Sequence, residues 1–173
     1  MRPTPLKPYF DDDFVEAVRS KLLFNYKQDN LNYDKHDLTN LKTSSWFIRR
    51  FLAWKPATID QAVKVVNDVL LWRSQVGINH WTESDFPIEF YKAAACFVYL
   101  PDKHGSNVLI IRLKMNKKES LLRPHFEDLA KKYFTFLCEK IVCNHHNRGF
   151  GIIFDCQGAS LSNVDLENCR YEC

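Results

Sequence analysis

Cys138 and Cys143, followed by His145 and His146, form the densest run of Cys and His side chains in the chain. Zinc would take four such groups in a tetrahedron, supplied by closely spaced pairs. Cys138 lies more than a helical turn from Cys143, and the spacing matches no compact finger pattern. The same Cys143-x-His145-His146 run could be a thiol and its base, but it falls between a helix and a strand and reads as solvated loop. Gly149-Phe150-Gly151 could cradle a phosphate, yet it precedes a strand instead of joining strand to helix, the context such loops need. No Gly-x-Ser-x-Gly elbow occurs. Asp155 ends an apolar strand, where α/β enzymes place catalytic carboxylates. No His or Ser lies near it in sequence, and an Asp there also serves to hold the backbone N–H groups of the following turn. The expectation is a non-enzyme with no cofactor and no metal.

The elements that carry these residues fall into two groups. Asp11–Asp13 can cap a first helix with Phe14, Val18 and Leu22 on one stripe. Tyr33, Asp34 and Asp37 open a second turn toward Leu41, and Ser44-Ser45 precede Trp46 to Trp54, which Pro56 ends. Thr58 and Gln61 read as a capping box for a strong helix. Ala62, Val66, Val69 and Arg73 mark one face of it, and Gly77 is its left-handed terminator. From Ala95 the character changes. Ala95–Leu100 and Val108–Leu113 flank Pro101–Ser106 as a β-hairpin. Pro124 starts a helix with Phe126, Leu129, Tyr133, Leu137 and Ile141 at helical spacing, and Phe150–Asp155 is a third strand.

Composition sets the outer bounds. The 173 residues are 46% hydrophobic and 14% aromatic, enough for a packed core. A net charge of +3, from 24 basic and 21 acidic residues, lacks the basic excess of a nucleic-acid binder. The longest apolar run, 107–113, is too short to span a bilayer, and the start, Met-Arg-Pro-Thr-Pro-Leu-Lys-Pro, has no apolar core of a signal peptide. Cys96 and Cys156, in strand patterns, read as small buried hydrophobes, and the compartment as cytosolic.

The order of motifs resembles a known family. Ser45-Trp46-Phe47-Ile48-Arg49-Arg50-Phe51-Leu52-Ala53-Trp54, Asp60-x-Ala62 and Trp72-Arg73-x-x-x-Gly77 are similar to the amino-terminal helical unit of CRAL-TRIO (Sec14-like) lipid-binding proteins. Tyr99-Leu100-x-Asp102-Lys103-x-Gly105 and Phe154-Asp155-x-x-Gly158-x-Ser160-x-Ser162 look like the early strands and the strand–turn–helix of the lipid-binding domain. Within the family, Tyr33-Asp34-x-x-Asp37-Leu38, Leu52-x-Trp54 and Glu83-Ser84-x-x-Pro87 are similar to members whose domain precedes a major-sperm-protein domain and a membrane anchor. The resemblance implies an α/β fold: an all-helical unit over 11–80, then over 83–173 an incomplete lipid-binding domain with a mixed sheet. It implies one hydrophobic ligand or phospholipid held over a β-sheet floor and closed by a helical gate. Membrane surfaces and protein partners would be further contacts, and the setting cytoplasmic, at the cytosolic face of the endoplasmic reticulum in a longer parent. The alternatives are an interaction scaffold or an inactive shortened product.

By the resemblance, Ser160 and Ser162 match headgroup-facing serines and Tyr99 a pocket tyrosine. Arg50 matches the first arginine of an Arg-Phe-Leu-Arg pattern whose second is Ala53 here, and a carboxylate within the helical unit is its alternative partner. Leu109 and Ile111 alternate onto one strand face as candidate pocket wall. Ser162 is equally a helix N-cap. Three structural expectations follow. Trp46, Phe51, Leu52 and Trp72 are buried. The third strand runs parallel to the second across the helical crossover. With the gate lying beyond Cys173, some of Val98, Tyr99, Leu109 and Ile111 have high accessibility around an open groove instead of lining a sealed cavity.

Overall fold

The computed structural model describes residues 10–52, 56, 58–103, 105–115, 124–144, 150–160 and 163. The chain divides into two compact units between Trp81 and Thr82. The first is helical. In α1, Asp12–Gln28, the Asp11 carboxylate accepts the Phe14 N–H at 2.8 Å and closes the first turn. Val15, Val18 and Leu22 then recur on one face and are fully buried. Asp34 caps α2, Lys35–Thr43, by accepting from the His36 and Asp37 N–H groups. Ser44 caps the short α3, Ser45–Arg49, which tightens into a 3₁₀ turn over Arg50–Leu52. Thr58 caps α4, Ile59–Val76, through the Gln61 N–H at 3.2 Å, and Gly77 ends it at φ 68°. That angle favours a residue without Cβ.

The stripe of α4 that enters the core is Ala62, Val66, Leu70 and Arg73; Val69 is only half-buried. Trp72 adjoins this stripe but lies off it, at 44% exposure, which corrects the expectation that it is buried. Leu52 is buried as expected, whereas Trp46 and Phe51 are half-buried at the edge of the same core. The helices meet through charged side chains as well as apolar ones. Arg19, on the buried face of α1, donates to the Lys42 carbonyl at 2.8 Å and to Ser45 Oγ at 3.0 Å. The first bond satisfies one of the carbonyls left open at the end of α2.

The second unit begins with a 3₁₀ turn, Glu83–Asp85, and α5, Ile88–Ala93, which ends at Ala94 with φ 47°. Three strands follow: β1, Cys96–Tyr99; β2, Val108–Arg112; and β3, Gly151–Asp155. The sheet order is β1-β2-β3, with β1 antiparallel and β3 parallel to β2. A parallel neighbour needs a crossover, and the connection from β2 to β3 carries α6, Pro124–Asn144. The fold is thus α/β with a mixed sheet, as the sequence leads one to expect. In the hairpin, Asp102 Oδ1 accepts the Ser106 N–H at 2.8 Å and Gly105 takes φ 80°.

Register decides which residues share a face. Val98 pairs with Leu109 and Cys96 with Ile111, while Tyr99 pairs with Val108 and Phe97 with Ile110. Cys96, Val98 and Leu109 pack with Tyr133, Leu137 and Ile141 of α6 and with Phe86. Side chains alternate along a strand, so Phe97, Tyr99, Val108, Ile110 and Arg112 point the other way. Cys156 follows β3 and is exposed, and Cys96 is half-buried, so neither is the fully buried hydrophobe expected. No helix among the described residues is long and apolar enough to cross a membrane.

Candidate functional site

The sheet face turned away from α6 is the candidate site. Phe97, Val108 and Ile110 give it a half-buried apolar floor, and Tyr99 and Ile153 flank the floor at 55% and 52% exposure. Arg112 and Asp155 are register partners on this face, with Nε 3.8 Å from Oδ2. The Arg112 guanidinium also lies 5.1 Å from the centre of the Phe97 ring, a cation–π contact. A strip of apolar floor therefore ends in a half-buried cation and its carboxylate.

The turn after β3 lies at that charged end. Asp155 Oδ1 accepts the Gln157 N–H at 3.0 Å, the structural role that an Asp at this position can take. Gly158 bends the chain at φ 70°. Ser160 donates through its N–H and its hydroxyl to Asn163 Oδ1, at 2.8 and 3.0 Å, and Asn163 Nδ2 donates to the Lys114 carbonyl at 3.4 Å. Ser160 is exposed; Ser162 lies outside the described residues.

Of the expected site residues, Tyr99 and Ser160 belong to opposite ends of the sheet. Tyr99 stands at the Gly151 end of the register and Ser160 follows the Asp155 end. Four residue steps at ~3.3 Å put these ends roughly 13 Å apart. Leu109 is not on this face at all. It is 0% exposed in the core beneath α6, and Ile111, half-buried, shares its side of β2. The grouping of Leu109 and Ile111 with Tyr99 around one open groove is corrected by the register, because neighbouring positions on a strand face opposite ways. Val98 shares the Leu109 side and is half-buried. Tyr99 is open, as expected for the groove. Arg50 belongs to the helical unit, where its guanidinium lies 4.8 Å from the Phe51 ring centre and 5.4 Å from that of Trp46.

Sequence reasoning missed Arg112. A cation at the end of an apolar strand, matched by an Asp at the end of the next, was the available signal. It also passed over the aromatic cluster of α5 and α6, where Tyr133 stacks on Phe90 at 5.2 Å and meets Tyr91 edge-on at 5.3 Å. Burial pushes the Tyr133 phenol up to about 12, with the nearby Tyr91, Cys96 and Glu83 adding to the rise. The Glu83 carboxyl is held low by its hydrogen bond from Lys140 and by that ammonium charge. The Asp34 carboxyl, which burial alone would push up, is held below its usual 3.8 by hydrogen bonds from Asn79 and the His36 and Asp37 amides and by the charge of His80.

The surface has the components of a site for an amphipathic molecule: apolar floor, one exposed aromatic, and a charged end with hydroxyl and amide groups. Among the described residues no set of three metal-ligating side chains converges; Cys143, His145 and His146 lie outside what can be described of their side chains. No solved structure matches this chain. Residues 91–171, which take in the end of α5, the whole sheet and α6, match the family model described as the CRAL/TRIO domain.

Proposed function

We propose that the protein is a non-catalytic lipid-binding or lipid-exchange module that holds one hydrophobic ligand or phospholipid against the Tyr99 face of the sheet. The family match over 91–171 carries this reading, and the apolar floor of Phe97, Val108 and Ile110 supports it. The ligand lies along the strands. Its chain covers the floor toward Tyr99, and its polar end meets Arg112, Ser160 and Ser162, a division favoured by the ~13 Å that separates the two ends. On this reading residues 11–80 are the helical unit, in which Arg50 helps order the aromatic cluster, and 83–173 are the ligand-binding unit.

The motifs around Tyr33, Leu52 and Glu83 are similar to those of motile sperm domain-containing protein 2. They favour a parent that works at the cytosolic face of the endoplasmic reticulum, in contact with membranes and protein partners. Native mass spectrometry of the protein purified from cells tests the central proposal. A co-purified lipid is expected, with occupancy reduced in Arg112→Gln and Tyr99→Ala. Absence of lipid, together with no transfer of fluorescent phospholipid between vesicles, overturns it and leaves the interaction scaffold as the reading.

A further inference from the structure

Where α6 passes the edge strand β1 lies a second cleft of about 260 Å³, lined mainly from the α6 side of the sheet and reached also by Phe97 of the opposite face. Val98, Leu137 and Ile141 form its apolar wall, and Asn107, Tyr133 and the Glu83–Lys140 pair supply its polar groups. We propose that this cleft is a second binding site, for a single-chain amphiphile with a carboxylate head. The inference does not rest on a ligand at the Tyr99 face.

Three observations carry it. Tyr133 is 4% exposed and its ring is wedged against Phe86, Phe90 and Tyr91, so its orientation is fixed. Its phenolic O–H lacks a hydrogen-bond partner among the described residues, although Tyr91 beside it donates to the Glu83 carbonyl at 3.1 Å. The ring is buried, but the hydroxyl is not among the buried unpartnered atoms, so it opens to the cleft that Tyr133 lines and is positioned to donate to whatever enters. Burial keeps this phenol protonated at neutral pH and thus a donor.

Lys140 follows Tyr133 by two helical turns on the same face of α6 and sits at the mouth. Its Glu83 partner is 65% exposed. Such a pair is weak and exchangeable, so an incoming carboxylate can take the ammonium while Glu83 turns to water. Asn107 is 8% exposed and its backbone carbonyl is held by the Gly151 N–H at 3.0 Å, which fixes an amide donor at the same rim. Three donors around an apolar wall favour an acceptor with negative charge. A quaternary ammonium would find only Glu83, and an alkane would leave the donors unpaired. Sites for drug-sized ligands run from roughly 300 to 1,000 Å³, so this one suits one short chain and excludes a two-chain lipid.

The test is calorimetric titration of the full 173-residue chain with octanoate, octanol and octyltrimethylammonium at neutral pH. Saturable octanoate binding is expected, about tenfold or more tighter than octanol, with no binding of the ammonium compound. Tyr133→Phe keeps the ring and removes only the hydroxyl. It should weaken octanoate about five- to tenfold, the worth of one hydrogen bond, and Lys140→Gln should do the same. Phe24→Ser, which removes an exposed apolar side chain of the helical unit, should change nothing and controls for adsorption. If Tyr133→Phe does not fold, the exposed Lys140→Gln decides. Absence of saturable binding below the millimolar range, equal affinity for octanol, or octanoate affinity unchanged in the folded variants overturns the proposal.

Discussion

Asp37→Ala would leave the Arg73 guanidinium charged and 3% exposed inside the helical unit. In the native protein Arg73 Nε donates to Asp37 Oδ2 at 2.7 Å and Nη2 to Oδ1 at 3.1 Å, a two-pronged pair with Asp37 fully buried. Nη2 also donates to Asn79 Oδ1 at 2.8 Å, and Asn79 Nδ2 donates to Asp34 Oδ1 at 2.6 Å. The network joins α4, the turn after it and the cap of α2. Breaking such a pair on one side costs about 3–5 kcal/mol, because the remaining charge stays desolvated. Small domains have ~5–15 kcal/mol in total, so the variant should lose a large part of its stability. With a urea slope near ~2 kcal/mol per M, the midpoint falls by about 2 M. All four tryptophans precede Thr82, so their fluorescence follows the helical unit. Removing both charges, in Asp37→Leu with Arg73→Met, should recover most of the loss, since an apolar pair of similar volume replaces two desolvated ions. A cost below about 1 kcal/mol for Asp37→Ala would refute the reasoning, as would a double variant no better than the single one.

Leu109→Ala should cost about 2–5 kcal/mol as a cavity in the core, while Tyr99→Ala, on an exposed side chain, should stay within about 0.5 kcal/mol. Equal effects in chemical denaturation would contradict the assignment of the two to opposite faces. Ala94, at φ 47°, carries the strain of a Cβ in the left-handed region. Ala94→Gly is therefore expected to raise stability by about 0.5–1 kcal/mol, and a loss would show that its methyl packs usefully. Asp34 has a depressed folded-state pKa, so its contribution is present above the unfolded-state value and is lost as pH falls through the folded one. Unfolding midpoints between pH 5 and pH 2 should decline less steeply for Asp34→Asn than for the native protein, and parallel declines would exclude this carboxyl as a source.

The elements were legible because their signals are local. Asp11, Ser44 and Thr58 cap helices through atoms within three residues of themselves. The strand runs Cys96–Tyr99 and Val108–Arg112 are apolar and bounded by a turn with Asp102 and Gly105. Partners across the chain were not legible. Arg73 sits on an otherwise apolar stripe of α4, which signals a buried counter-charge without saying that it is Asp37, 36 positions away. The same limit governs the site. Whether Tyr99 faces the groove together with Leu109 or with Val108 depends on register, and register depends on how the hairpin connection closes. A connection one residue longer or shorter would exchange the faces of one whole strand. As the chain folds, Tyr99 opposes Val108, and Leu109 goes beneath α6. The two faces then have different chemistry. One presents a floor with an exposed aromatic at one end and Arg112–Asp155 at the other; the other packs Leu109 beneath α6 but leaves Ile152 and Phe154 of β3 exposed. An odd or even loop length thus decides which strand residues meet α6 and which share a face with Arg112 and Asp155.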